Sequence, residues 1–137
     1  MSFPFKIDSG TQVVHVRFTG LLDLQAVFEG FAAYLAHPLQ RAGQSCLVDL
    51  SRVERFAIDF PGVCDVVDRL KTVQDSRSAS DREGAAPRHA LYAPSDIAFG
   101  TSRMYQSIAQ GVLRAEIGVF RDLAEAHRFL DLEVAVS

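Results

Sequence analysis

Tryptophan is missing from the 137 residues, and cysteine and methionine occur only twice each. Cys46 and Cys64 stand in neither a CxxC spacing nor beside a histidine pair, so no metal site is expected from them. Two buried free thiols of a reducing compartment are the favoured reading, a single disulfide being the alternative if their Cβ atoms approach. No apolar run is as long as a membrane span, so stable membrane insertion is not expected. Basic charge is not in excess: 14 Lys and Arg face 17 Asp and Glu, a net charge of −3. That leaves nucleic acid without its electrostatic footprint and an anionic lipid surface without a polybasic anchor. Residues 1–6 lack the basic region and apolar core of a signal peptide, and cytoplasm is the expected compartment.

Chemistry-bearing motifs are equally scarce. The chain has no GxSxG elbow, no HExxH pair and no glycine-rich phosphate loop, and Gly84, Gly100, Gly111 and Gly118 are isolated. His15, His37, His89 and His127 fall in four separate segments. His15 and His89 could adjoin across a sheet, with a half-buried, hydrogen-bonded imidazole as the expected outcome. No catalytic residue, metal ligand or cofactor site is expected.

What the chain does have is 48% hydrophobic residues in clear periods. Its length suits one domain spanning residues 1–137 with an independent core. Phe5–Asp8 and Gln12–Phe18 read as a hairpin around Ser9-Gly10, with Val14, Val16 and Phe18 on one face of the second strand. Gly20 is expected to break that strand. Asp23 then caps a helix with the stripe Leu24, Val27, Phe28, Phe31 and Leu35, which His37-Pro38 ends.

A central strand, Ser45–Leu50, leads through the polar loop at Ser51-Arg52 to a helix opening at Pro61, with Val63, Val66, Val67, Leu70 and Val73 along one side. Residues 76–86 read as a mobile surface loop. The strand Arg88–Ala93 precedes a helix striped by Ile97, Thr101, Met104, Tyr105, Ile108 and Val112, with Gly111 at its end. The strand Glu116–Phe120 precedes a helix capped by Asp122 with Glu125. The order is ββαβαβαβα.

Several of these residues fall in a familiar pattern. Gly20 with Asp23, the run Val48-Asp49-Leu50, and Ala93-Pro94-Ser95-Asp96, Phe99-Gly100, Arg103-Met104, Val119-Phe120-Arg121-Asp122-Leu123, Glu125-Ala126 and Phe129-Leu130 resemble the SpoIIAA-like (STAS-type) domains over residues 5–132. The resemblance implies an α/β fold: a mixed four- to five-stranded sheet with an amino-terminal antiparallel hairpin and four flanking helices, as in anti-sigma-factor antagonists. It implies a non-catalytic binding or regulatory domain acting on a protein or small ligand. A relation suggested between this fold and CRAL-TRIO carriers implies the alternative, a carrier of a lipid or hydrophobic metabolite. Relatives of this type switch by phosphorylation of a serine in a D-S-S-G pattern at the start of helix two. The matching text here is Asp59-Phe60-Pro61-Gly62, which offers a kinase no hydroxyl.

Two site readings follow. Loops around Asp49–Arg52, Ala93–Asp96 and Phe120–Asp122 are expected to converge at the carboxyl ends of the parallel strands, where Ser51, Ser95, Asp96 and Arg103 could hold a small polar ligand. The same serines and aspartates also suit ordinary helix capping, which is the favoured role. Phe56-Ala57-Ile58-Asp59-Phe60 is unusually apolar for a connection. Phe56 and Phe60 are read as a lid on the core, a patch covered by a second subunit in a homodimer, or the lip of a pocket for an apolar molecule.

Overall fold

The computed structural model describes residues 5–8, 10–41, 43–76 and 86–132. The expected loop at 76–86 lies, apart from its two ends, outside the described residues. Among the described residues nine elements follow in the expected order: β1 (Phe5–Asp8), β2 (Val13–Asp23), α1 (Leu24–Leu35), β3 (Ser45–Ala57), α2 (Phe60–Asp75), β4 (Arg88–Tyr92), α3 (Asp96–Ala109), β5 (Glu116–Phe120) and α4 (Leu123–Phe129). The strands form one five-stranded sheet in sequential order, β1-β2-β3-β4-β5. β1 runs antiparallel to β2 and the remaining pairs are parallel.

The helix starts obey local chemistry. Asp23 Oδ1 accepts from Ala26 N at 2.8 Å, Asp59 Oδ1 from Gly62 N at 2.9 Å, Ser95 Oγ from Ala98 N at 3.1 Å and Asp122 Oδ1 from Ala124 N at 2.8 Å. Each satisfies an amide that the helix leaves without a backbone acceptor. Pro61 sits in the first turn of α2, where its missing N–H costs nothing.

Sequential strand order has a consequence for layers. Each parallel crossover steps the same way along the sheet, so crossovers of one hand put α1, α2 and α3 on one face. α4, with no further strand to reach, packs on the other, where Ala126 and Leu130 meet Val13, Leu47 and Ala90. Arg88 fastens this side: its guanidinium is 3.1 Å from Glu116, 3.3 Å from Asp131 and 2.9 Å from the Phe129 carbonyl oxygen. Gly118 faces the Phe120–Phe129 ring pair, and a Cβ there would come 2.6 Å from Phe120 Cε2. Gly118→Ala is therefore expected to lose about 2 kcal/mol in urea unfolding by displacing the rings; an unchanged midpoint would show that they shift freely.

Three expectations need correction. Gly20 does not end β2. At φ +71 it lets the strand bulge, with register irregularities either side, and pairing resumes to Asp23. β3 likewise continues through the supposed polar loop to Ala57. Beyond the Asp49–Tyr92 pair with β4, its residues from Arg52 onward pair with β2, as in Thr19–Arg52 and Leu22–Phe56. Its polar composition reflects a half-exposed two-stranded ribbon and not a turn. Finally, the inward side of α3 is Ala98, Ser102 and Ala109, while Ile97 is 60% exposed and Val112 also faces solvent. Of the expected stripe, Thr101, Tyr105 and Ile108 do face inward, beside these small residues.

Candidate functional site

The apolar periodicities of β2, β3 and β4 bring Val14, Val16 and Phe18, then Cys46, Val48 and Leu50, then His89 and Leu91, onto the face below α1, α2 and α3. Together with those helices they enclose a half-open cavity of about 260 Å³. Its roof is Val27, Phe28 and Phe31 from α1, Val63, Val66 and Leu70 from α2, and Thr101, Ser102 and Tyr105 from α3. α2 packs against α1 and α3, and so bridges the cavity between them. Natural interiors rarely leave such space. For comparison, an engineered apolar cavity of about 150 Å³ accommodates benzene.

The rim is defined by Arg69, an exposed residue that lines the cavity and lays its guanidinium over the Phe28 ring at 4.3 Å. This contact spans α1 and α2. A second hollow, about 270 Å³, adjoins at the amino-terminal ends of β3 and β4 and shares Phe31, Tyr34, Gln44, Leu70 and His89 with the first. Its walls are mixed, with Arg41, Lys71, Gln74, Asp75 and Arg114 among apolar residues such as Leu35, Val73 and Leu113.

Inside the cavity the polar groups are held neutral. Burial pushes the Cys46 thiol up to about 12 and holds the His89 imidazole down to about 4. Burial also raises the Tyr105 phenol, with a smaller contribution from nearby Cys46. Cys46 and His89 are register partners on adjacent strands. Cys46 is thus a protonated thiol and a poor nucleophile. His15 stands opposite Leu47 on the other face of the sheet, so His15 and His89 do not adjoin, in keeping with separate imidazoles as the favoured outcome.

The residues singled out in the sequence lie elsewhere. Ser51 is an exposed residue of β3 whose Oγ and N donate to Asp49 Oδ1 at 2.6 and 2.9 Å, and the same carboxylate is 3.4 Å from Arg17. Phe56, in β3, packs half-buried against the core. Phe60 opens α2 and is 59% exposed. Ser95 caps α3, and Asp96 beside it pairs with Arg121 at 2.8 Å. Arg103 and Arg121 both lie over the Phe99 ring, at 5.9 and 4.6 Å. Ser95 and Asp96 thus lie at the start of α3 with Arg103 about two turns further along it, while Ser51 belongs to a separate contact with Asp49 and Arg17. None of the six lines either hollow. The sheet also has no reversal of strand order, the feature that opens a crevice at the carboxyl edge of doubly wound sheets. Cys46 and His89 interrupt apolar strands at matching places, a match that only the register of β3 against β4 reveals.

Among the described residues no group of three or more His, Cys, Asp or Glu is placed to hold a metal ion, and no helix is long and apolar enough to cross a membrane. Both cysteines are free.

No family model matches the chain, and no curated protein does. Among solved structures it is similar to an uncharacterized protein of the DUF3478 family with a SpoIIAA-like fold, from Shewanella loihica PV-4. That likeness has a TM-score of 0.54 at 12% identity and covers 94% of this chain and 92% of the other. Identity that low speaks for the fold alone. With its antiparallel β1–β2 hairpin, parallel β2 to β5 and four helices, the chain adopts the SpoIIAA-like α/β fold.

Proposed function

We propose that the protein works by binding and not by catalysis, and that the cavity beneath α1, α2 and α3 takes up an apolar small molecule, as a carrier or sensor of a hydrophobic metabolite would. The observation that carries this reading is the 260 Å³ cavity with its nearly continuous aliphatic and aromatic lining. Pockets for small molecules are mostly apolar with a few placed polar groups, which is the composition found here. A neutral thiol and a neutral imidazole in the lining favour recognition over bond-making.

The test is a fluorescence titration with N-phenylnaphthylamine, a neutral aromatic probe. Micromolar binding is expected, with Val66→Phe weakening it roughly tenfold or more by filling the site while the fold stays intact. Lipid extraction of the purified protein followed by mass spectrometry identifies any native occupant. A wild-type protein that ignores the probe and carries nothing sinks the reading.

A second reading, association with another copy of the chain or a protein partner, draws on Phe60 and Ile97. Both lie at helix starts on one edge of the molecule and are more than half exposed. Sedimentation equilibrium of wild type against a Phe60→Ser, Ile97→Ser variant decides it: a dimer lost in the variant supports the reading, and a wild-type monomer ends the homodimer.

A further inference from the structure

Arg69, on α2, is the only charged residue in the lining of the apolar cavity. It is exposed at the rim and places its guanidinium 4.3 Å from the centre of the Phe28 ring, itself part of the lining. Among the described residues it pairs with no carboxylate. The ion pairs there belong to Arg17, Lys71, Arg88 and Arg121, and Asp65, one turn earlier on α2, makes none with Arg69. The other polar residues of the lining bring no charge. Tyr34 and Gln44 are engaged with each other, the hydroxyl donating to Oε1 at 2.6 Å. Burial keeps Cys46 and His89 neutral, and Thr101, Ser102 and Tyr105 carry only hydroxyls. The chamber is therefore cationic at its wet rim and uncharged within.

We propose that the cavity's occupant is an apolar molecule with a single carboxylate at one end, which meets the Arg69 guanidinium at the rim while the hydrocarbon body lies against Phe28, Val48 and Leu70. This rests on the apolar-ligand reading above and narrows it to a chemical class. A guanidinium laid over a ring keeps N–H edges that match a carboxylate with two parallel hydrogen bonds. At an exposed rim the carboxylate stays largely hydrated, so little desolvation opposes the pairing. A second charge further in would lose its water with no opposite charge to meet it. A cationic head would be repelled by Arg69, and a neutral one would gain nothing from its charge.

Decanoate, decanol and decylammonium share one chain length and differ only in the head group, so their displacement of N-phenylnaphthylamine near neutral pH reads the charge at the rim. Decanoate is expected to displace the probe at concentrations about fivefold below decanol, with decylammonium needing the most of the three. Arg69→Gln is expected to bring decanoate to the level of decanol while decanol itself stays within about twofold of its wild-type value, which shows the chamber intact. Equal displacement by decanoate and decanol in wild type overturns the proposal. So does an acid preference that survives Arg69→Gln, or one abolished instead by Arg41→Gln with Lys71→Gln, which would put the head group in the neighbouring hollow. In each of these cases the probe still binds, so the apolar-ligand reading stands; a probe that does not bind at all takes both down.

Discussion

Replacing Gln44 with leucine lowers the stability of the protein by about 3 kcal/mol, seen as a fall of roughly 10 °C in the thermal midpoint. Gln44 is 8% exposed and precedes β3. Its Oε1 accepts from the Tyr34 hydroxyl at 2.6 Å and from the Arg41 amide at 3.0 Å. Its Nε2 donates to the Leu39 carbonyl at 3.0 Å and to Gln12 Oε1 at 3.1 Å. One amide thus ties the end of α1, the turn into β3 and the β1–β2 hairpin. Leucine matches its shape but leaves the Leu39 carbonyl and the Arg41 amide short of their partners. Each lost bond contributes about 1 kcal/mol, and a stranded buried group costs about 1–3 kcal/mol, so the total exceeds that of an ordinary surface change. Urea unfolding reads it as a lower midpoint at unchanged slope. A loss below about 1 kcal/mol would mean that water replaces the amide at no cost.

Acid destabilises the fold through His89. The free imidazole takes up its proton near 6.5, whereas burial holds that of His89 down to about 4. Between those values the unfolded chain binds a proton that the folded chain refuses, so stability falls as pH drops from about 6.5 to 4. At ~1.36 kcal/mol per pK unit the contribution of His89 is roughly 3 kcal/mol over that window, and it is absent above it. His15, also shifted down by burial, adds in the same sense. Urea midpoints measured from pH 7 to pH 4 should drop more steeply for wild type than for His89→Gln, and the difference between the curves isolates this side chain. Parallel curves would show that the imidazole protonates in place.

The elements that could be read from the chain are those fixed by neighbours in sequence. Asp23, Asp59, Ser95 and Asp122 cap helices because the amide they bond is two or three residues away. The inward face of β2 was legible because Val14, Val16 and Phe18 alternate with polar partners. β3 beyond Leu50 was not, because Arg52, Glu54 and Arg55 are strand only by virtue of β2 alongside. The two ends of the α3 stripe were misjudged, because Ala98 and Ala109 carry too little hydrophobicity to outweigh Ile97 and Val112, while Thr101, Tyr105 and Ile108 between them do face inward. Nor could the cavity be foreseen. Val27, Phe28 and Phe31 make the same stripe whether they touch a sheet or stand off from it, and spacing between layers depends on how α1 and α3 hold α2. Ser51, Ser95, Asp96 and Arg103 were chosen by analogy with doubly wound sheets, and this sheet winds one way only; Phe56 and Phe60 were chosen for the apolar character of a segment that proves to include the end of β3.

That one-way winding governs when the chamber can exist. Its walls come from β2 near one end of the chain and from α3 near the other, with every intervening strand and helix contributing in turn. No fragment or partly folded intermediate that lacks any element from β2 to α3 assembles it, because each of them supplies a wall. Anything lodged there would accordingly report completion of folding from β2 to α3, and would slow subglobal opening of the helices above it by mass action.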